Sequence, residues 1–540
     1  MRQSRIFTIP AGAPFLRVLA QSLLDGRLVE GFRFDPQDPL QLADATIYVP
    51  TRRAARALRS EFVELMSGRA AILPVIRPLG EIDEDAGFFD TNPSRDLDAL
   101  PPIAPLARLV ELANLVLAWR NKLPAMLRDI HSDSPLVAPA SPADAIWLAR
   151  ALIEIIDQVE TEETGWEALD KIELGDRAIW WQLTGEFIKI ARQFWPERLA
   201  ELNRSSPALH RAAAIRAEAA RYLAEQTKKP VIVAGSTGSI PATADLIAAI
   251  HSLECGAVVL PGLDLAMDDK LWRMAGALTA DGSQDTNPAS RSHPQYGLFH
   301  LLAKLRATRS DVIPLADEEP TLELRSRAVS QAFTPAEADV NHLEWRESNP
   351  GLGEAFADVA LIEAPNEREE ALAIATALKL SLDGDGSRQA ALVTPDRNLA
   401  RRVCVELQRF GIEADDSAGT PLLSSHHGTL VRLVLESILR PGDPVALVSL
   451  LKHPHIRLGR TREELERDVA GLELLALRGG TGLANPAELT ALVERAIADL
   501  KAPDKKLKRW QKRLLDETRL EGIRKLAADI EKAVEPLVQL

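Results

Sequence analysis

Four strand–loop–helix junctions hold the residues whose types and spacing suit anion chemistry. The first, RIFTIPAGAPFLRVLAQSLLDG (residues 5–26), has the outline of a phosphate-binding loop: a short apolar run, small residues around Gly12, then a helical pattern. Such a loop needs a Lys for the β/γ-phosphates and a Ser/Thr hydroxyl for Mg²⁺. Where the motif carries Gly-Lys-Ser/Thr, Phe15, Leu16 and Arg17 stand. The second junction, ATIYVPTRRAARALRSEFVEL, sets Thr51 and Arg52 at a helix start. Backbone N–H groups and the helix dipole favour an anion there. At about 100° per residue, Arg52, Arg56 and Arg59 share one face, while Ala55, Leu58, Phe62 and Leu65 form another suited to packing.

The third, PVIVAGSTGSIPATADLIAAI, follows its strand with Gly235, Ser236 and Thr237. That loop suits a weak phosphate contact, or is an ordinary turn between strand and helix. The fourth, ALVTPDRNLARRVCVELQRFG, repeats the Thr/Pro/Arg design. Arg397 and Arg401 lie one helical turn apart, opposite Leu399, Val403, Leu407 and Phe410. Two such junctions at the carboxyl ends of strands would place phosphate contacts where open α/β sheets bind ligands. Contacts of this kind position a nucleic-acid strand without reading its bases. For either helix alone, a solvated basic face is the competing reading.

Other groups weigh less. His426, His427, His453 and His455 are imidazole donors, but no cysteine cluster or paired carboxylate accompanies them at metal-ligand spacing, so no metal site is expected. Asp415 and Asp416, followed by Ser417, could mimic paired catalytic acids, but the Ser after the acidic pair reads rather as a turn or helix cap. KKLKRWQKRL (505–514) interleaves bases with Trp510, and its Leu507, Trp510, Leu514 spacing fits an amphipathic helix with a solvated face. Cys255 and Cys404 provide neither a disulfide framework nor a four-thiolate site.

Strands alternating with helices imply a parallel, doubly wound α/β sheet. Residues 79–101 are acidic and turn-rich, and 102–228 read as helices inserted into the sheet domain. Trp147, Trp166, Trp180, Trp181 and Trp195 in that insert read as core residues rather than base-stacking platforms. Residues 280–350 read as a loop-rich crossing. A second α/β unit follows: strand DVALIEA, a helix over 367–382, strand QAALVT, a helix over 397–410. From about 428 the chain is helical, and it stops inside an amphipathic stretch with no capping Gly or Pro, which suggests part of a longer protein.

At 540 residues, two to four domains are expected. Hydrophobic residues make up 46% and charged residues 26%, ordinary for a folded domain. No apolar run approaches the roughly 18 residues of a membrane span, and the N-terminus lacks a signal-peptide pattern, so a cytoplasmic protein is expected. The net charge of −14 argues against a chain that coats nucleic acid over its whole surface. A local basic channel remains compatible with it, since charges are screened beyond about 10 Å.

Together, IPAGAPFLRVLAQSLL, YVPTRRAARALRSEF, LPVIRPLGE, GSTGSIPATADLI, ALVTPDRNLARRV, GIEADDSAGTPL and LLKHPHIRLG resemble AddB, the second subunit of bacterial AddAB helicase-nucleases, in its alphaproteobacterial form. The fold this implies is that of a UvrD-type superfamily 1 helicase. Residues 1–100 and 229–320 would form a first RecA-like domain, 101–228 an inserted helical subdomain, 350–440 the start of a second RecA-like domain, and 441–540 a truncated helical subdomain. Gly12, Arg17, Gly235, Ser236 and Thr237 would mark a degenerate nucleotide site. The position of the Walker B Asp-Glu is occupied by Ala234 and the residues after it, so neither Mg²⁺ nor water has a carboxylate, and no ATPase is expected.

The resemblance also implies a partner, an AddA-like subunit that hydrolyses ATP. This chain would guide single-stranded DNA from a duplex end through Thr51, Arg52, Arg56, Arg397 and Arg401, and help scan for a recombination hotspot. Cofactors are expected only in the family's C-terminal half, which carries the nuclease, its Mg²⁺ and an iron–sulfur cluster. Two other readings stand beside this one. One is a P-loop-like NTPase or nucleotide-sugar enzyme using GSTGS, and the other an assembly scaffold with no DNA contact.

Overall fold

Short β-branched runs build one sheet in the first part of the chain. A computed structural model describes residues 5–79, 100–122, 141–167, 184–185, 187–278, 291–335, 341–347, 351–383, 388–417, 419, 421–478, 483–502 and 508–538. The chain divides into two compact units, Met1–Ala360 and Leu361–Leu540. The first holds strands β1 (Ile6–Ile9), β2 (Thr46–Val49), β3 (Val75–Pro78), β4 (Val231–Ala234), β5 (Gly256–Pro261) and β6 (Val312–Pro314). They form an all-parallel, six-stranded sheet in the order β3-β2-β4-β5-β1-β6. In register, Ile6 lies opposite Val258 and Val312, and Thr46 opposite Val75 and Val231.

The strands are mostly buried because helices cover both faces, as a parallel sheet requires. On one face Phe7, Ile9, Ile47, Val49, Ile232 and Val259 pack against α1 (Phe15–Leu24) and α2 (Arg52–Met66). The alternate residues Ile6, Val231, Val233, Val258 and Leu260 face the other side. Between β3 and β4 come α3 (Pro105–Lys122), α4 (Pro142–Thr161), a π-helical turn (Ile190–Phe194), α5 (Trp195–Glu201) and α6 (Pro207–Glu225). The second face is covered by α6, by α7 (Pro241–Ser252) between β4 and β5, and, beyond α8 (Asp269–Ala275), by α9 (Tyr296–Lys304).

The inserted helices have their own core, in which Leu112, Val116, Leu152, Ile156 and Trp195 are at most 1% exposed. Trp166 packs against that core as expected, but Trp147 is 70% exposed and does not. It sits on the outer face of α4, whose buried positions are Ala145, Ala149, Leu152 and Ile156. Trp180 and Trp181 lie outside the described residues.

One ionic network ties the insert to the sheet, and a second joins its helices to each other. Tyr48 of β2 donates to Glu218 of α6 at 2.7 Å and meets the Tyr222 hydroxyl at 3.0 Å, with the two rings edge to face. Arg221 donates to both Glu218 oxygens at 2.7 and 3.1 Å, and Arg77 of β3 stands at 3.4 Å. Burial by itself would push the Glu218 carboxyl up. The hydrogen bonds from Arg221 and Tyr48, with the nearby charges of Arg221 and Arg77, hold it below its ordinary 4.5. Arg108 of α3, 4% exposed, donates to Asp157 of α4 at 2.8 Å. Beside it, burial raises the Glu160 carboxyl although Ser206 donates to it.

The stretch 280–350, expected as a loop-rich crossing, carries regular structure: α9, β6, α10 (Pro320–Ala332) and α11 (His342–Glu347), followed by α12 (Leu352–Ala355). Only three residues long, β6 makes little strand pattern in the sequence, and it exists because β1 offers an open edge. β3 was likewise hidden, its four residues ending in proline.

The second unit departs further from expectation. α13 (Glu367–Leu382) and α14 (Arg397–Arg409) form where the sequence places them and pack through Ala371, Ala375, Val403 and Leu407. The segments before them do not become strands. Leu361 is 86% exposed and Val393 94%. Two short parallel strands with no covered sheet beside them have too little ladder and burial to persist. Beyond lie α15 (His426–Leu439), α16 (Pro444–Leu451), α17 (Arg462–Leu472), α18 (Leu489–Lys501), α19 (Arg509–Leu514) and α20 (Glu517–Val538). α16, α17, α18 and α20 share one core, with Leu472, Leu489, Val493, Leu520 and Leu526 fully buried. Trp510 on α19 is 45% exposed, and Leu507 lies outside the described residues. No helix among the described residues is long and apolar enough to cross a membrane.

Glu218→Ala should lower the stability of the first unit by about 1–3 kcal/mol, because the buried Tyr48 hydroxyl loses an acceptor while the part-exposed Arg221 can turn to solvent. Urea denaturation at pH 7 measures it. A carboxylate with a depressed folded pKa lends stability that is full above its unfolded value and lost as pH falls through the folded one. The native chain should therefore lose this contribution below pH 4.5, and the variant should show a flatter acid limb. Glu160, raised by burial, acts in the opposite sense.

Candidate functional site at the carboxyl ends of the strands

Five of the six strands end on or just before a proline: Pro10, Pro50, Pro78, Pro261 and Pro314. Proline has no N–H and stops the ladder, so it marks the carboxyl edge of the sheet. Three of these rings, Pro10, Pro50 and Pro261, line an open crevice of about 520 Å³ at the ends of β1, β2, β4 and β5. Ala11, Ala13, Phe15 and Leu16 form one wall, Val49 and Ala54 another, and Ala234, Gly235 and Gly262 close the floor. No ionisable side chain lines it.

That lining decides the chemistry. A phosphate cradle works through converging backbone N–H groups, a lysine and a metal-holding carboxylate. Here three lining residues lack an N–H, and every lining side chain is carbon alone. Apolar walls do not replace the hydration of a triphosphate. A flat or aliphatic group would fill the crevice far better than an anion.

The five residues expected at a degenerate nucleotide site scatter around it. Gly235 alone touches the crevice. Its φ of +80° turns the chain out of β4, and an added Cβ would sit 3.4 Å from Phe15 and Pro50. Gly12 lies beneath α10, where a Cβ would meet the Leu322 side chain at 3.1 Å. Arg17 does not line the crevice: it reaches across to α2 and pairs with Glu61 and Glu64 at 3.6 and 3.4 Å. The Ser236 hydroxyl accepts the N–H of Gly238 at 3.2 Å, closing its own turn. Thr237 stands against Gly297 of α9.

On α2 the expected face forms. Thr51 is the N-cap, and its hydroxyl oxygen accepts the N–H of Ala54 at 3.0 Å, so its side chain serves the helix first. Ala55, Leu58 and Phe62 are buried, and Leu65 is half-buried. Arg52 and Arg56 are exposed. Arg59 leaves their company and donates to the Ile76 carbonyl of β3 at 3.2 Å. Ala54 faces the crevice, and Arg52 and Arg56 lie about 200° round the helix from it. The cationic face and the apolar crevice are therefore separate surfaces on opposite sides of α2.

In the second unit the repeated design has a different outcome. Arg397 makes a bidentate pair with Asp416 at 3.0 and 2.6 Å, and the bond raises its pKa further. Its guanidinium is held within the fold, and the carboxylate that holds it comes from the acidic pair before Ser417. Asp396 caps α14 by accepting the N–H groups of Asn398 and Leu399. Arg401 remains exposed. Among the described residues no group of three or more His, Cys, Asp or Glu is placed to hold a metal ion.

The apolar crevice itself was missed by sequence reasoning. The signal that would have found it is the recurrence of proline immediately after apolar β-branched runs. No family model matches the chain, and no curated protein matches it.

Two measurements probe the crevice. Millimolar MgATP should shift the thermal midpoint by no more than about 1 °C, since only a ligand that binds the native state stabilises it. Gly235→Ala should cost about 1–2 kcal/mol from the left-handed backbone, read from the urea midpoint.

Proposed function

We propose that this chain is a non-catalytic, helicase-like DNA-handling protein, working beside an ATP-hydrolysing, AddA-like partner in processing DNA ends. The reading rests on one observation above others. A doubly covered parallel sheet keeps its ligand-binding edge but lines it with proline, alanine and phenylalanine, while an exposed arginine face stands on the far side of α2. A motor needs charged groups at that edge to bind and activate a triphosphate. A strand guide needs only spaced cations that meet successive phosphates.

In this reading Arg52 and Arg56 make the phosphate contacts and Thr51 sets the helix start that holds them in place. Arg401 is an auxiliary cation of the second unit, and Arg397 is structural. The contacts grip without reading bases, so recognition of a hotspot sequence would fall to other residues. RecA-like is the fold name that suits the first unit. The net charge of −14 confines DNA to local basic faces, consistent with guidance rather than coating.

An assembly role without DNA contact draws on a different observation. Val431, Leu435 and Leu439 form an i, i+4, i+8 stripe on α15 and are 58, 49 and 74% exposed. Apolar stripes of that kind mark interaction surfaces.

Arg52→Ala with Arg56→Ala separates the two readings. If the arginines meet phosphates, single-strand affinity drops and the slope of log K against log salt shrinks by about 0.7 for each phosphate no longer neutralised, so about 1.4 for both. Fluorescence anisotropy of a labelled oligothymidylate across a salt series measures it. An unchanged slope removes the arginine face from the reading, and no single-strand binding by the native chain at low salt favours assembly alone.

A further inference from the structure

Four histidines from two segments of the second unit meet at the start of α15. His426 and His427 are its first two residues, and His453 and His455 follow α16. The rings of His427 and His455 stack at 4.9 Å between centroids with a 22° tilt. His453 lies 5.4 Å from His455 and 6.4 Å from His426, and His426 lies 6.2 Å from His455. Gly428 permits the arrangement: a Cβ there would stand 1.8 Å from the Leu422 carbonyl oxygen, so the turn Leu422–Ser424 presses directly on the helix start.

The chemistry follows from the one buried ring. His453 is 5% exposed, and its Nδ1 accepts the N–H of His455 at 3.2 Å. A neutral imidazole that accepts at Nδ1 carries its proton on Nε2. That Nε2 is buried with no hydrogen-bond partner. The ring therefore offers a donor, not the lone pair a metal needs. The stacked pair His427–His455 also cannot converge on one ion. The positive end of the 14-residue α15 adds to the demand for negative charge.

We infer that this histidine cluster is a proton-gated oxyanion site that takes a phosphate group. Lost hydration, then the imidazoles of His427, His453 and His426 and the guanidinium of Arg457, hold the His455 ring below its ordinary 6.5. No carboxylate is among the groups acting on it. The other charges nearby are engaged. Lys452 pairs with Glu473 at 2.6 Å and Arg462 with Glu466 at 2.5 Å. Arg462 also reaches the carbonyls of Lys452 and His453, and Arg457 those of Pro454 and Ile456. Protonating His455 among three neighbouring rings and Arg457 builds repulsion that a phosphate relieves. Binding therefore raises the His455 pKa and takes up a proton. Affinity is weak above the free imidazole range and tightens as pH falls through it. The phosphate comes either free or from a nucleic-acid backbone.

The test titrates the full chain with inorganic phosphate at pH 7.5 and 5.5, following the histidine ring signals by NMR. Calorimetry in two buffers of different ionisation heat reads proton uptake. The expected result is binding at least about tenfold tighter at pH 5.5, with net proton uptake. It should be lost in His426→Gln/His455→Gln, whose native side chains are exposed, so that the variant folds. A parallel titration with oligothymidylate identifies the source. Weakening of its binding by the same variant at pH 5.5 alone assigns backbone phosphate, and no change assigns free phosphate. Absent ring-signal shifts at tens of millimolar phosphate, equal binding by the variant, or Ni²⁺ binding at pH 7.5 that needs these histidines would overturn the assignment.

Discussion

The prolines that close the strands are the constraint on which the first unit depends. Each removes a backbone donor at the edge where parallel sheets meet their ligands, and each presents an apolar ring in its place. Pro10, Pro50 and Pro261 thereby turn a potential phosphate cradle into a carbon-lined crevice. The rest of the site conforms to that change. Arg17, one residue beyond the place where a cradle carries its lysine, joins α1 to α2 through Glu61 and Glu64. The loop after β4 folds on itself through Ser236 and Gly238.

The same local pattern can serve a ligand or the fold, and reach decides which. Arg56 and Arg397 both sit on amphipathic helices that begin just beyond a Thr/Pro turn. A carboxylate, Asp416, lies within bidentate reach of Arg397, whereas the face of α2 that bears Arg56 is open to solvent. A paired guanidinium is satisfied in place and has less to gain from a phosphate. Buried charges follow a related logic at larger scale. Glu218 remains ionised inside the protein because Arg221, Arg77 and Tyr48 converge on it, and the result joins α6 to β2 and β3. A long helical insertion between two neighbouring strands is thereby anchored at its return.

The second unit distributes its apolar residues unevenly. Its later helices share a well-covered core, while α13 and α14 hold a small one and the segments before them leave Leu361 and Val393 exposed. The histidine cluster lies between these regimes in chain order, at a helix start that Gly428 allows to pack closely.

What the sequence determined by itself are the local elements. Thr51, Asn366 and Asp396 cap α2, α13 and α14, whose starts are legible within a residue because capping chemistry is local. The β-branched runs of β1, β2 and β4 announced a parallel sheet because strands covered on both faces must be apolar throughout. Tertiary structure decided everything that depends on a partner distant in the chain. β3 and β6 are strands only because β2 and β1 offer edges to them. DVALIEA and QAALVT carry the strand pattern and find no such edge. Trp147 shares the helical spacing of its neighbours yet faces outward. Which arginine is exposed, which is paired, and that four histidines meet are likewise outcomes of packing, since side-chain reach across space leaves no periodic trace in one dimension.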